Sequence, residues 1–530
     1  MTGKAIMVLG TTSGAGKSWL ATALCRWYAR RGLRVAPFKA QNMSNNARVV
    51  PAPGGRMGEI GSAQYFQALA ACIPPEVRHN PVLLKPEADT RSQVVVMGEV
   101  RRDLAEVPWR RRSEALWPHA RQALASLQAE HDLVVIEGAG SPAEINLHAS
   151  DYVNMRTARA AQAACLLVTD IDRGGAFAHL YGTHQLLPPD ERALIRGFVL
   201  NRFRGDAGLL SPGPEMLEQL TGVPTLAVLP MWREHGLPEE DGVFDDRSTG
   251  GAAAARPLRV AVVAYPRLSN LDEFQPLRNL AGVRLSWARH PHELDGVDWI
   301  ILPGSKHTGA DLAWLRAQRL DAAIARHAGA GGAVLGICGG LQMLGEALVD
   351  LHGIDSPGGE SNGPGLGLLP LVTLFEPDKL LAPTQATFAA LSGPWAALSG
   401  VRFDGYEIHH GRTAPPADLP ARAAALRNAA GEALGWRRGP GLGLYAHGLF
   451  ESPAVLRALF GAQVRTLDAV FDGLADFLDR HVAPDTLDAL IRTFPVSPVP
   501  PRSTKDKTDD DGPLLRPRRT RRAARCRRPA

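Results

Sequence analysis

The chain has 530 residues, too many for a single hydrophobic core, and its 45% hydrophobic and 21% charged residues mark an ordinary globular composition rather than a disordered one. The net charge of +5 comes from one stretch: residues 502–530 carry eleven Lys and Arg against four Asp, which leaves the other 501 residues at −2 and gives no argument for a nucleic-acid partner. No apolar run approaches the roughly eighteen residues that span a bilayer, and the first residues lack a signal-peptide pattern, so a cytoplasmic location without a membrane span is expected.

In chain order, short apolar runs read as strands at 6–9, 133–136, 165–168, 198–200, 260–264, 299–302 and 334–337. Helical patterns separate many of them, as at 19–31 and 341–349. This alternation predicts an α/β protein with mainly parallel sheets. Polar and glycine-rich turns follow the strands, and open α/β sheets bind ligands at those carboxyl ends. A low-complexity stretch at 246–257 reads as a linker. The expected organisation is therefore a first domain over 1–245, a second over 258–493, and a disordered basic tail over 494–530.

The first turn runs Gly10, Thr11, Thr12, Ser13, Gly14, Ala15, Gly16, Lys17, Ser18. Small residues between a strand and a helix let backbone N–H groups curl around phosphate. Lys17 would reach the β- and γ-phosphates of ATP, and Ser18 would supply a hydroxyl to Mg²⁺. Glu137 ends a later strand before Gly138-Ala139-Gly140, where a carboxylate can hold Mg²⁺ directly or through water. Asp170 and Asp172 end the next strand; their charges would serve substrate or metal, or pair with basic neighbours. Only eight of the 59 basic residues are Lys, so an ammonium is notable where it occurs. Lys39, with Asn42, and Lys85, after Asn80, are candidate contacts for a polar substrate bearing carboxylates.

The five cysteines are scattered and form no Cys-x-x-Cys pair, which argues against a disulfide framework or a structural zinc site. Cys338 stands apart. A strand delivers it to a sharp turn before Gly339 and Gly340, the pattern of a nucleophile elbow. The backbone N–H near Gly304, together with that of Gly339, would form an oxyanion hole. Among sixteen histidines, His447 in Tyr445-Ala-His-Gly448 is the preferred partner for the thiol. His409 and His410 form a rival pair that reads as structural or substrate-facing, since neighbours on a strand point to opposite faces.

Together these residues resemble the cobyric acid synthase family, glutamine-dependent amidotransferases of cobalamin biosynthesis. The specific segments are Pro37-Phe-Lys-Ala-Gln-Asn-Met-Ser-Asn-Asn46, Asn80-Pro-Val-Leu-Leu-Lys-Pro86, the run from Glu137 to Leu147, Asp170-Ile-Asp-Arg-Gly-Gly175, Asn201-Arg-Phe-Arg-Gly-Asp206 and Arg267-Leu-Ser-Asn270. The resemblance implies a nucleotide-binding domain like that of dethiobiotin synthetase, followed by a class I glutaminase domain of the cobyrinate type. It implies Cys338 and His447 as the catalytic pair, and Gln342 as a glutamine contact. Many class I glutaminases carry Glu two residues after the histidine; Leu449 stands there, which leaves open what orients His447. The implied reaction is ATP-dependent amidation of four corrinoid carboxylates with ammonia from glutamine. The segment from Lys39 to Asn46 argues against the sister enzyme that makes the a,c-diamide. Thr11-Thr12-Ser13, where a partition ATPase would show an extra lysine, argues against that class of binding switch.

Overall fold

The computed structural model describes residues 3–88, 91–105, 107–238, 257–355, 361–415, 424–461 and 465–492. Residues 246–256 of the expected linker and the whole expected tail lie outside them. The first half is built on six strands in the order Thr225–Pro230, Ile195–Phe203, Ala164–Asp170, Lys4–Gly10, Leu133–Glu137, Val35–Phe38, and every neighbour is parallel. Strands buried on both faces tolerate unbroken apolar runs, and Ile6 to Leu9 and Leu133 to Ile136 are accordingly at most 1% exposed. Because the central strand lies between Leu133–Glu137 and Ala164–Asp170, the turns after all three open on the same sheet edge.

The second half carries an 11-stranded sheet among the described residues. Its parallel part is Val283–Ala288, Leu258–Val263, Trp299–Leu302, Ala333–Ile337 and Gly441–Leu444. Antiparallel strands continue it through Ala433–Arg438, Ala424–Asn428 and the long Val372–Phe388, against which Arg402–Ala414 also pairs. The helical pattern expected at 341–349 does not hold as one helix. The helix is Gly339–Leu344, and Ala347–Val349 is a short strand parallel to Val372–Phe388. Gly345 ends the helix in extended backbone, after which the chain takes up sheet pairing with the neighbouring strand.

The last helices, Leu467–His481 and Pro484–Arg492, return to the first half and cover the first helix, Lys17–Ala29. Asp468, Asp472, Asp476 and Asp479 fall on one helical face at spacings of three and four. Asp468 and Asp472 take Arg26 at 3.1 and 2.8 Å, and Asp476 takes Arg30 at 2.6 Å. Asp479 accepts from the Trp27 indole at 2.8 Å and from Arg31 at 3.1 Å. The Tyr28 hydroxyl donates to the Leu487 carbonyl at 2.7 Å.

Candidate functional site

The first turn has the backbone its sequence requires. Gly14 and Gly16 take φ of 71° and 98°, and a side chain at Gly16 would collide with Asn201, whose amide donates to the Ala15 carbonyl at 2.9 Å. Lys17, 7% exposed, folds back so that Nζ donates to the carbonyls of Thr12 and Gly140, at 3.0 and 3.1 Å. Thr11 ties the turn to the next strand through Thr169 at 2.9 Å. Ser13, Gly14, Lys17, Ser18, Lys39, Asn42, Glu137 and Arg202 line one cavity there.

Glu137 is the polar centre of that cavity. Its Oε1 accepts from the Ser18 hydroxyl and from Lys39 Nζ, both at 2.8 Å, and its Oε2 from Gln67 Nε2 at 2.6 Å. Burial alone would raise this carboxyl, but the Lys39 ammonium and the two hydrogen bonds outweigh it and hold it below the usual range. Lys39 thus stands on the carboxylate beside Ser18. The other acids expected near substrate are drawn into ion pairs. Asp170 meets Arg202 at 2.9 Å and Arg173 at 3.4 Å, and Asp172 pairs with Arg204.

The second cavity surrounds Cys338, with Lys85, Ser305, Lys306, Thr308, Gln342, Lys379, His409 and His410 on its walls. Cys338 sits at φ 51° and ψ −106°, a strained turn between strand and helix, and is 6% exposed on the cavity wall. Gly340 has no room for a side chain, because a Cβ there would run into the Leu302 carbonyl. His447 is 1% exposed, and the Cys338 thiol is among the groups that act on its imidazole. Its backbone exchanges hydrogen bonds with Tyr406, at 2.9 and 3.3 Å, and its ring stacks on the Tyr406 ring. Gly304 lies beside the same imidazole, where a Cβ would come 3.1 Å from His447 Cε1. A side chain on Gly339 would meet the Ser305 backbone N at 2.7 Å, so the two loops expected to supply N–H donors abut. Gln342 Oε1 accepts from Thr308 Oγ1 at 2.9 Å.

What orients His447 is Glu273. Its Oε1 lies 3.2 Å from His447 Nδ1, and its Oε2 accepts from the Gly448 N–H at 3.2 Å. Burial would lower the histidine, but the charges of Glu273 and Cys338 prevail and raise it to about 10. Sequence reading missed Glu273. The available signal was its position three residues after Asn270, the end of a segment already singled out, in a run whose two acids, Asp272 and Glu273, are 2% and 0% exposed.

Lys85 falls at the cysteine's cavity rather than the phosphate one. It donates to buried Glu59 at 2.8 Å, and Lys379 holds the other oxygen at 2.7 Å. Burial pulls the Lys379 ammonium down to about 7 against the opposing attraction of Glu59. His409 bonds to the Gly411 carbonyl at 2.8 Å and stacks on Tyr445, while His410 bonds to the Glu376 carbonyl at 3.1 Å. No group of three His, Cys, Asp or Glu suited to a metal occurs among the described residues. No helix among them is long and apolar enough to cross a membrane.

Two family models match. Residues 6–239 match the CobQ/CobB/MinD/ParA nucleotide binding domain, and residues 259–455 match the CobB/CobQ-like glutamine amidotransferase domain. Full-length relatives are similar along nearly the whole chain. A cobyric acid synthase of Leptothrix cholodnii is 74% identical over 499 residues, covering 92% of this chain and 97% of its own. One of Methylibium petroleiphilum is 74% identical over 493 residues, with the same coverage, and one of Variovorax paradoxus is 67% identical over 493 residues, covering 93% of this chain and 100% of its own.

Proposed function

The chain belongs to the cobyric acid synthase family and is a glutamine amidotransferase ligase of cobalamin biosynthesis; on that premise we propose that it amidates the b, d, e and g carboxylates of adenosylcobyrinic acid a,c-diamide, with Cys338 and His447 releasing ammonia from glutamine and the Lys17 loop binding ATP. The observation that carries the reading is a thiol on a strained turn that acts electrostatically on a buried imidazole, whose Nδ1 is held by a carboxylate.

In the glutaminase half, Cys338 Sγ attacks the side-chain amide carbon of glutamine. The oxyanion is met by backbone N–H groups near Gly304 and Gly339. His447 gives a proton to the departing nitrogen, ammonia leaves, and a thioester remains for water to cleave. Gln342 contacts the substrate glutamine. In the other half a free carboxylate is a poor acyl donor, so it first attacks the γ-phosphorus of ATP. ADP leaves, and ammonia then displaces phosphate from the acyl phosphate to give the amide. The chain's part is placement and charge: the N–H groups of the turn from Gly10 to Ser18 and the Lys17 ammonium surround the phosphates.

Mg²⁺ fits the residues present. It takes one or two protein oxygens and keeps several waters, and the Ser18 hydroxyl and the Glu137 carboxylate stand side by side at the phosphate cavity. Those two would hold the ion, which supplies positive charge to the phosphate oxygens. Lys39 and Asn42 on the cavity wall, and Asp170 and Asp172 at the strand end, are the candidates nearest the corrinoid carboxylates, and Lys85 belongs to the ammonia-producing side. Residues 1–245 and 258–493 serve as the two catalytic parts. The test is mass spectrometry of product formed from ATP, glutamine and the a,c-diamide. A ladder of four amidation steps supports the reading, and a ladder ending at another count overturns the assignment of carboxylates.

A further inference from the structure

The imidazole at Cys338 is braced from the nucleotide-binding half of the chain. The strand Ala47–Pro51 continues the segment that carries Lys39 and Asn42, and it delivers Arg48 into the second half. The Arg48 side chain is 2% exposed. It forms a two-pronged pair with Glu451, Nη1 to Oε2 at 3.0 Å and Nη2 to Oε1 at 2.6 Å, and Nη2 also donates to Asp272. Both acids neighbour the catalytic groups: Asp272 directly precedes Glu273, and Glu451 ends the short helical turn Leu449–Glu451 that follows His447. The guanidinium also lies 5.2 Å from the centre of the Tyr406 ring, which stacks on the His447 ring at 5.2 Å.

The backbone on either side reinforces the grip. Asn46 Oδ1 accepts from the Leu271 N–H at 3.0 Å, and Asn270 Nδ2 donates to the Ala47 carbonyl at 2.8 Å and to the Tyr406 hydroxyl at 2.6 Å. Arg48 thus gathers two buried or largely buried carboxylates, Asp272 and Glu451, next to Glu273, the carboxylate that holds the imidazole. Unpaired, the three acids would repel one another. A planar guanidinium can satisfy two carboxylates at once, where a lysine would be a single point of charge. With Asp272 and Glu451 so occupied, Glu273 is left to His447 and the adjoining Gly448 N–H.

We propose that Arg48 is a positioning residue for glutamine hydrolysis: by holding Asp272 and Glu451 it fixes the Glu273–His447 pair against Cys338. This rests on the reading of Cys338 and His447 as the glutaminase pair. It makes the ammonia-producing site dependent on a residue from the ATP-binding half, so the glutaminase domain is catalytically complete only when the other half is seated against it.

The experiment uses the full chain with ATP and the a,c-diamide, driven either by glutamine or by ammonium salt. Arg48→Met should lower kcat with glutamine about ten- to hundredfold, as misplaced catalytic groups do. It should leave KM for glutamine and the ammonium-driven rate nearly unchanged, because Arg48 touches neither glutamine nor nucleotide. Arg48→Lys should restore part of kcat. So should the double variant Arg48→Met with Glu451→Gln, which removes the charge that the single variant strands. Full glutamine-driven activity in Arg48→Met overturns the proposal. So does an equal loss with both nitrogen sources that neither Arg48→Lys nor the double variant relieves, since that is the mark of a purely structural residue. Cys338→Ala is assayed in parallel: if it still hydrolyses glutamine, the fault lies in the assignment of the catalytic pair and not in Arg48.

Discussion

Glu273 reaches His447 across 174 positions of sequence, with its carboxylate 3.2 Å from Nδ1. The bond fixes the tautomer that presents Nε2 to the thiol and favours the imidazolium that forms during proton transfer, the task a carboxylate performs in any such triad. Glu273→Gln keeps the shape and loses the charge. Glutamine-driven synthesis should fall by about tenfold or more, as expected when a positioned base is misoriented, while synthesis from ammonium salt holds. Equal rates for variant and parent with glutamine would remove Glu273 from the site.

The same pair sets a pH dependence of stability. His447 is raised from 6.5 to about 10 on folding. The raised value means the folded state binds this proton more tightly, so the contribution is complete below about 6.5 and is lost as pH climbs through about 10. Glu273, Cys338 and Tyr406 face the ring, and Arg48, Asp272 and Glu451 stand behind them. Other groups titrate over the same range, so the useful quantity is the difference in melting temperature between the parent and His447→Gln. That difference should shrink steadily from pH 7 to pH 10. A difference that stays constant or grows would show that no such proton is held.

Cys338→Ala should abolish synthesis from glutamine and preserve synthesis from ammonium salt, because thiol and phosphate loop lie in different cavities. Product is measured with each nitrogen source. A variant equally inactive with both would refute the division of labour, provided its melting temperature is that of the parent.

Lys17→Ala should stop ATP turnover and amidation, while some glutamine hydrolysis at Cys338 persists. The ammonium held by Thr12 and Gly140 is the charge that the turn itself offers to phosphate. Normal ATP-dependent synthesis by this variant would overturn the assignment of the loop.

Glu137→Gln should raise the Mg²⁺ concentration needed for half-maximal rate and change corrinoid affinity little, since a hard cation needs the charge and the amide keeps only the shape. The variant also removes the charge that the Lys39 ammonium now pairs with, so some loss of stability accompanies the kinetic change. An unchanged Mg²⁺ requirement with weaker corrinoid binding would move Glu137 to the substrate site.

The parts legible in the sequence are those written in consecutive residues. The turn from Gly10 to Ser18 and the elbow at Cys338 are strand, small residues and helix start in fixed order, and spacing alone places their side chains. The parallel sheets were legible for the same reason, through apolar runs that alternate with helical patterns. Contacts between distant segments leave no such spacing. Nothing near His447 announces Glu273, because Leu449 occupies the position where an acid would be sought. Lys39 and Lys85 looked alike as rare ammonium groups near amides, yet one meets Glu137 and the other Glu59. The helix expected over 341–349 failed on a local competition, in which Gly345 releases Ala347–Val349 into a strand.

The acidic face of Leu467–His481 has a consequence for how the protein is made. Arg26 and the aspartate that claims it, Asp472, are 446 positions apart. At a synthesis rate of about 5–20 residues per second, the helix behind the phosphate loop leaves the ribosome roughly 20–90 s before its cover exists. For that interval the faces of Trp27, Tyr28 and three arginines are open to water and to other chains. The nucleotide domain, first to be translated, is thus the last to be finished, and a transcript cut just before residue 467 would encode every catalytic residue named above and still yield a chain whose first helix lacks its acidic cover.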